Sequence, residues 1–184
     1  LVGWENIEWR ESGLRLPTPG MEIDLGGLVK EYAADGAISL MRNLKVTSAL
    51  IELAGDVATI GDNDDATPWR VGIQDPEGSG SLCTLQLSNA AIATSGNYAR
   101  VIDYQRRRYG HLLNPKTGWP VEGPSSVSVL DSHCLTAGAV ATVACLHSEE
   151  TAGTWLEHAA LPWLMVSSSG DRSGPIAHRV AAPT

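Results

Sequence analysis

No stretch restricts this chain's fold more than Asn114-Pro115-Lys116-Thr117-Gly118. Proline fixes one backbone φ and glycine permits a positive one, so these five residues have the composition of a tight turn. Ahead of it, residues 108–113 read as a strand in which Tyr109 alternates with basic and apolar neighbours. Residues 98–104 read as its hairpin partner across Gln105-Arg106-Arg107. His111 is thereby expected near the end of a strand, where a rigid element hands over to a turn. A base held there is positioned by the sheet while its ring reaches outward. Taken alone, the stretch favours a plainer reading, in which the same histidine only caps a hairpin.

The other strands expected from apolar alternation and turn residues are 4–10 with 14–16, 21–25, 46–53, 57–60, 69–74, 83–87, 90–94, 126–130 and 163–167. Three stretches carry helical spacing. Val29, Ala33, Ala37, Leu40, Met41 and Leu44 define an amphipathic helix over 28–44. Residues 135–146 are a helix of small side chains suited to close packing on a sheet, and 151–160 are a third helix. The tail from Ser168 is polar and is expected to be loosely held. Antiparallel hairpins with interspersed helices make the fold class α+β.

At 184 residues the chain has the size of a single domain, and a formal charge of -8 argues against a broad nucleic-acid surface. No apolar run is long enough to cross a bilayer. Leu1 opens directly into the strand-like WENIEWR, with no leader, so a processed or partial chain is expected. The acidic loop 62–68 lacks the alternating oxygen ligands of a calcium loop. Arg106-Arg107-Arg108 reads as a solvated hairpin tip. Cys134 and Cys145 lie about three helical turns apart, too far to bridge, and all three cysteines are expected to be buried and apolar.

A second stretch, Asp24-Leu-Gly-Gly-Leu-Val-Lys30-Glu-Tyr-Ala-Ala-Asp35, runs from a short strand through two glycines into a helix. That geometry offers free amide N–H groups to a phosphate. With ATSGNY at 93–98 and HLLNPKTG at 111–118, in this order, it resembles the ApbE-type FAD:protein FMN transferases. Their pattern is D-L-G-x-x-x-K-G-Y-A-x-D, then A-T-S-G, then H-x-[IL]-[DN]-P-x-T-G. ELAGDVATIG (52–61) and WRVGIQDP (69–76) extend the likeness, which runs from about residue 4 to about 164.

The resemblance implies an enzyme that splits the FAD pyrophosphate and transfers the FMN half onto a threonine or serine hydroxyl of an acceptor protein, with AMP leaving. It implies His111 as the base, Leu113 touching the cofactor through its backbone, and Asp24, Lys30 and Ser95 at the FAD site. It also implies a periplasmic location, or an anchor on the periplasmic side of a membrane. The residues read alone leave Asp24 as a turn cap, Lys30 as an exposed first-turn residue and Ser95 as a strand end. FAD hydrolysis to FMN and AMP, or FAD binding without catalysis, are the alternative activities.

Magnesium is implied as well, held by the Gly27 carbonyl and the Thr142 hydroxyl. The carboxylate of the family's A-D-x-x-x-T helix start is here Gly138. Two further departures are Glu31, where the family pattern has glycine, and Glu52-Leu-Ala, where it reads N-L-G. Positions 138 and 142 lie one helical turn apart, so an aspartate at 138 would project beside the Thr142 hydroxyl. If Gly138 instead serves close packing, the same aspartate would clash. The family's N-terminal region, with part of the adenosine pocket, has no counterpart before Leu1.

Overall fold

The computed structural model describes residues 3–98 and 100–177, apart from the side chains of Arg107 and Arg108. After a 3-10 turn (Trp4–Asn6) the chain forms β1 (Glu8–Arg10), β2 (Gly13–Arg15), α1 (Val29–Asn43), β3 (Ala49–Leu53), β4 (Asp56–Ile60), β5 (Trp69–Gln74) and β6 (Ser81–Leu87). It continues through β7 (Ala91–Gly96), β8 (Val101–Tyr104), β9 (Arg107–Gly110), β10 (Ser126–Asp131), α2 (Cys134–Cys145), α3 (Glu149–Ala159), β11 (Trp163–Val166) and β12 (Arg172–Ser173).

A six-stranded sheet in the order β12-β11-β10-β7-β4-β3 organises the molecule, and β1-β2, β5-β6 and β8-β9 are separate hairpins. Every pairing is antiparallel. Side chains alternate across the pleat, so Ala58, Ile60, Ala93 and Val129 meet the three helices through Ala34, Ile38, Ala141 and Leu156. Val57, Ile92 and Val166 on the opposite face meet Ile73 and Leu87 of the β5-β6 hairpin. Both faces are covered, which is why all five residues of β4 are buried. The small residues Ala137, Gly138, Ala141 and Ala144 let α2 lie against the sheet, as their sequence pattern suggests.

Several boundaries differ from the sequence reading. Residues 21–25 form no strand and join no sheet. β9 stops at Gly110, short of His111. The Leu112 N–H donates to the Asn97 side chain at 3.2 Å instead of continuing the ladder. β7 extends through Gly96, so Ser95 lies within the strand. α3 starts earlier than expected, at Glu149, because Ser148 caps it by accepting the Thr151 N–H at 3.4 Å. The tail is not loose up to residue 177. β12 pairs with β11, Ile176 is 1% exposed, and its N–H donates to the Trp163 carbonyl at 3.1 Å. Arg106 is exposed at the β8-β9 turn, whereas the expectation for the Arg107 and Arg108 side chains lies outside the described residues.

Candidate functional site

Residues from four elements close into a ring on the helix-covered face of the sheet. Lys30 sits in the first turn of α1 and is only 37% exposed, because its Nζ lies 2.6 Å from Asp56 Oδ2. Asp56 opens β4, is 1% exposed, and accepts the Thr94 N–H at 3.0 Å through Oδ1. The next residue on β7, Ser95, shares a hydrogen bond of 2.7 Å with the Thr142 hydroxyl of α2. One turn back along α2, Gly138 abuts Glu31, whose Oε1 is 4.0 Å from Lys30 Nζ. Three of the expected site residues, Lys30, Ser95 and Thr142, are thus brought together.

Asp24 and Gly27 lie exposed just before α1. Asp24 Oδ1 accepts the Gly26 N–H at 2.7 Å, and the Leu25 carbonyl accepts from Leu28 and Val29 at 2.9 and 3.0 Å. Three amides at this helix start are therefore already used within the turn, which narrows the phosphate cradle expected from the two glycines. The turn-capping reading of Asp24 describes one of its oxygens.

His111 and Leu113 are exposed, on the segment that follows β9. Their loop is nonetheless firmly built. Asn114 Oδ1 accepts the Lys116 N–H at 2.8 Å, the Gly118 N–H donates to the Asn114 carbonyl at 2.8 Å, and Gly118 has a φ of 73°. Leu113 bridges to Pro120 across this turn. Leu112 packs on the main core beneath His111. Asn97 holds the near side, accepting from Leu112 and donating to the Val121 carbonyl at 3.2 Å. A side chain at Gly110 would collide with Asn97, so the chain can approach this closely only as glycine. The cleft beside it is lined by Asn97, Tyr98, Gly110, Val121, Glu122 and Ser125.

The ring carries two buried carboxylates against one ammonium. Glu31 is 3% exposed and its Oε2 has no hydrogen-bond partner. Burial, with the neighbouring Asp56 charge adding to it, holds the Glu31 carboxyl above the usual carboxylate range. Among the described residues no three His, Cys, Asp or Glu side chains are grouped to hold a metal. An ion here would need hydroxyl, carbonyl and phosphate oxygens too, which suits magnesium. The unpartnered buried oxygen and the excess negative charge fit such a cation.

The model of the ApbE family matches residues 1–165. The chain belongs to the ApbE family. A FAD:protein FMN transferase from Vibrio cholerae is 28% identical over 174 residues, 93% of this chain and 52% of that relative. One from Rhodobacter capsulatus is 35% identical over 138 residues, 74% of this chain and 26% of that relative. The solved ApbE protein of Thermotoga maritima superposes with a TM-score of 0.84 at 28% identity, over 96% of this chain and 59% of its own. The flavin transferase ApbE of Vibrio cholerae gives 0.81 at 27% identity, over 97% and 59%. The expected α+β class holds, and this ApbE-family chain spans about half the length, or less, of these curated relatives.

Asp56, Asn97, Asp35 and Glu31 were not singled out from sequence as working residues. Asp56 lies within ELAGDVATIG, and an acidic residue opening an apolar strand is the signal that could have found it. Asn97 directly follows the A-T-S-G segment. Asp35 closes the segment that begins at Asp24, and Glu31 stands where the family pattern has glycine, but nothing local shows what either touches, since both act on α2, about a hundred residues further along.

Proposed function

We propose that this chain takes part in transferring FMN from FAD onto a threonine or serine hydroxyl of an acceptor protein, with release of AMP. Support comes from the relatives named FAD:protein FMN transferase. The single observation that carries the reading is the ring in which Lys30, Asp56, Ser95 and Thr142 meet across α1, β4, β7 and α2. A pyrophosphate needs positive charge and hydroxyl donors held on rigid elements; the ring supplies the hydroxyls and the Lys30 ammonium, and its surplus of carboxylate would recruit a cation for the remaining charge.

In this reading the acceptor hydroxyl attacks the FMN-side phosphorus, and the bond from that phosphorus to the bridging oxygen breaks. AMP leaves with the oxygen, while His111 takes the hydroxyl proton. The exposure of His111 suits a protein acceptor, whose side chain must reach the base from outside. Lys30 orients phosphate oxygens, and Asp56 holds its ammonium in place. Magnesium, held by the Gly27 carbonyl and Thr142 hydroxyl, would offset the charge that builds up on the pyrophosphate. The acceptor is proposed to lie on the periplasmic side of a membrane.

Incubation with FAD, magnesium and an acceptor domain, followed by mass spectrometry, tests the reading. An FMN-sized gain on the acceptor is expected. AMP and FMN released without that gain would replace transfer by hydrolysis, and unchanged FAD would reduce the chain to a flavin binder.

A further inference from the structure

Gly138 and Glu31 fill the same space. A Cβ built on Gly138 would sit 2.6 Å from Glu31 Cγ, 2.8 Å from its Oε1 and 3.0 Å from its Cδ. No side chain fits at 138 while Glu31 keeps its position. The aspartate that helical spacing would put beside Thr142 therefore requires Glu31 to move, and the obstacle comes from α1, not from the sheet. The Glu31 carboxylate already stands where a short acidic side chain from 138 would reach.

Its surroundings are those of an ion ligand. Glu31 lies next to a second buried carboxylate, Asp56, whose nearest cation, Lys30, is 2.6 Å from Asp56 but 4.0 Å from Glu31. The Glu31 Oε2 atom is buried with no donor facing it. Leaving such an oxygen unpaired in a low-dielectric interior is unfavourable, whereas a hard divalent cation is stabilised by it. The Thr142 hydroxyl lies one turn along the same face of α2 and is held by Ser95.

We propose that Glu31 is the carboxylate ligand of a magnesium-type cation at this ring, so that the anionic ligand comes from α1 and Gly138 is the clearance it requires. This inference rests on the metal-assisted reading proposed above. Glutamate at 31 and glycine at 138 then form one exchanged pair, in which a carboxylate has moved from one helix to the other without leaving the site.

The test is Mn²⁺ binding followed by electron paramagnetic resonance, with magnesium as competitor and FAD present, so the readout is the metal and not turnover. Glu31→Gln keeps the shape of the side chain and removes its charge. It is expected to weaken Mn²⁺ binding at least about ten-fold, as loss of a metal-site partner does. Glu31→Gly alone is expected to do the same. Glu31→Gly combined with Gly138→Asp returns the carboxylate to α2 and should bring affinity back to within roughly three-fold of the parent, because ligand number and charge are restored. The proposal is overturned if the parent binds no Mn²⁺, if Glu31→Gln binds it as tightly as the parent, or if the double variant binds no better than Glu31→Gly. A neutral Glu31 that donates its proton to Asp56 would give the second of these. Metal binding through Glu31 without FMN transfer would retire the proposed activity and leave this inference standing.

Discussion

The carboxylate of Asp35, on α1, caps α2 by accepting the Cys134 N–H at 2.8 Å, across 99 residues of chain. Its second oxygen takes the Leu135 N–H at 3.0 Å. His133 occupies the local cap position, but its side chain makes no capping bond, so the first turn of α2 depends on a residue of another helix. Asp35→Ala should lower stability by about 2 kcal/mol, the upper end for a lost cap, since buried amides are left unpaired. Urea unfolding checks it. A midpoint equal to that of the parent would show that water or His133 replaces the cap.

Lys30 and Asp56 form the most strongly buried ion pair of the site. Lys30→Ala strands the Asp56 charge in the interior. Breaking such a pair costs ~3–5 kcal/mol when both ends are buried, and about 2–3 here because the lysine end is partly solvated. The double variant Lys30→Met/Asp56→Asn removes both charges and should recover at least about 1 kcal/mol of that loss. Denaturant melts of the three proteins decide it.

His111→Ala should leave the melt within about 0.5 kcal/mol of the parent, since the ring is exposed. Transfer of FMN to an acceptor, read by mass, should fall about 10²-fold or more. Transfer within a few-fold of the parent would return His111 to the role of a hairpin cap.

Asn97→Ala should free the chain on both sides of His111, because it removes the acceptor for Leu112 N–H and the donor to the Val121 carbonyl. The Leu112 amide should then exchange with deuterium at least about ten-fold faster, as local opening becomes easier. Exchange in the α2 helix should not change.

The three cysteines should be inert in the native protein. Burial pushes the Cys134 and Cys145 thiols up to about 12 and raises that of Cys83 as well. A pKa raised in the folded state keeps the thiol neutral up to higher pH, so at pH 8 the thiolate fraction at Cys134 and Cys145 is on the order of 10⁻⁴. Ellman's reagent should report no fast-reacting thiol at pH 8 and three after denaturation.

Period and turn chemistry were enough to read the helices and most strands, because each depends on neighbours within a few positions. The same local logic misplaced the end of the His111 strand, since Asn97 ends it from another part of the chain. It also read a strand into residues 21–25, which join no sheet. At the site, motif order pointed to Lys30, Ser95 and Thr142, and the structure joins them. The partners that hold them were hidden, because Asp56 meets Lys30 across 26 residues and Thr94 across 38. Gly138 looked like a missing ligand. Only the packing of α1 on α2 shows that its emptiness is filled by Glu31.

The contact between those two positions also restricts the routes by which the chain could change. From the present state, aspartate arising first at 138 meets Glu31 in the same volume, and the intermediate is overpacked unless Glu31 swings away. Removing the Glu31 side chain first leaves a vacant but foldable intermediate that a later acidic residue at 138 can fill. Of the two single-step itineraries between the arrangements, one passes through an overpacked protein and the other through a vacated site, so a collision of about one methylene biases the order of mutations.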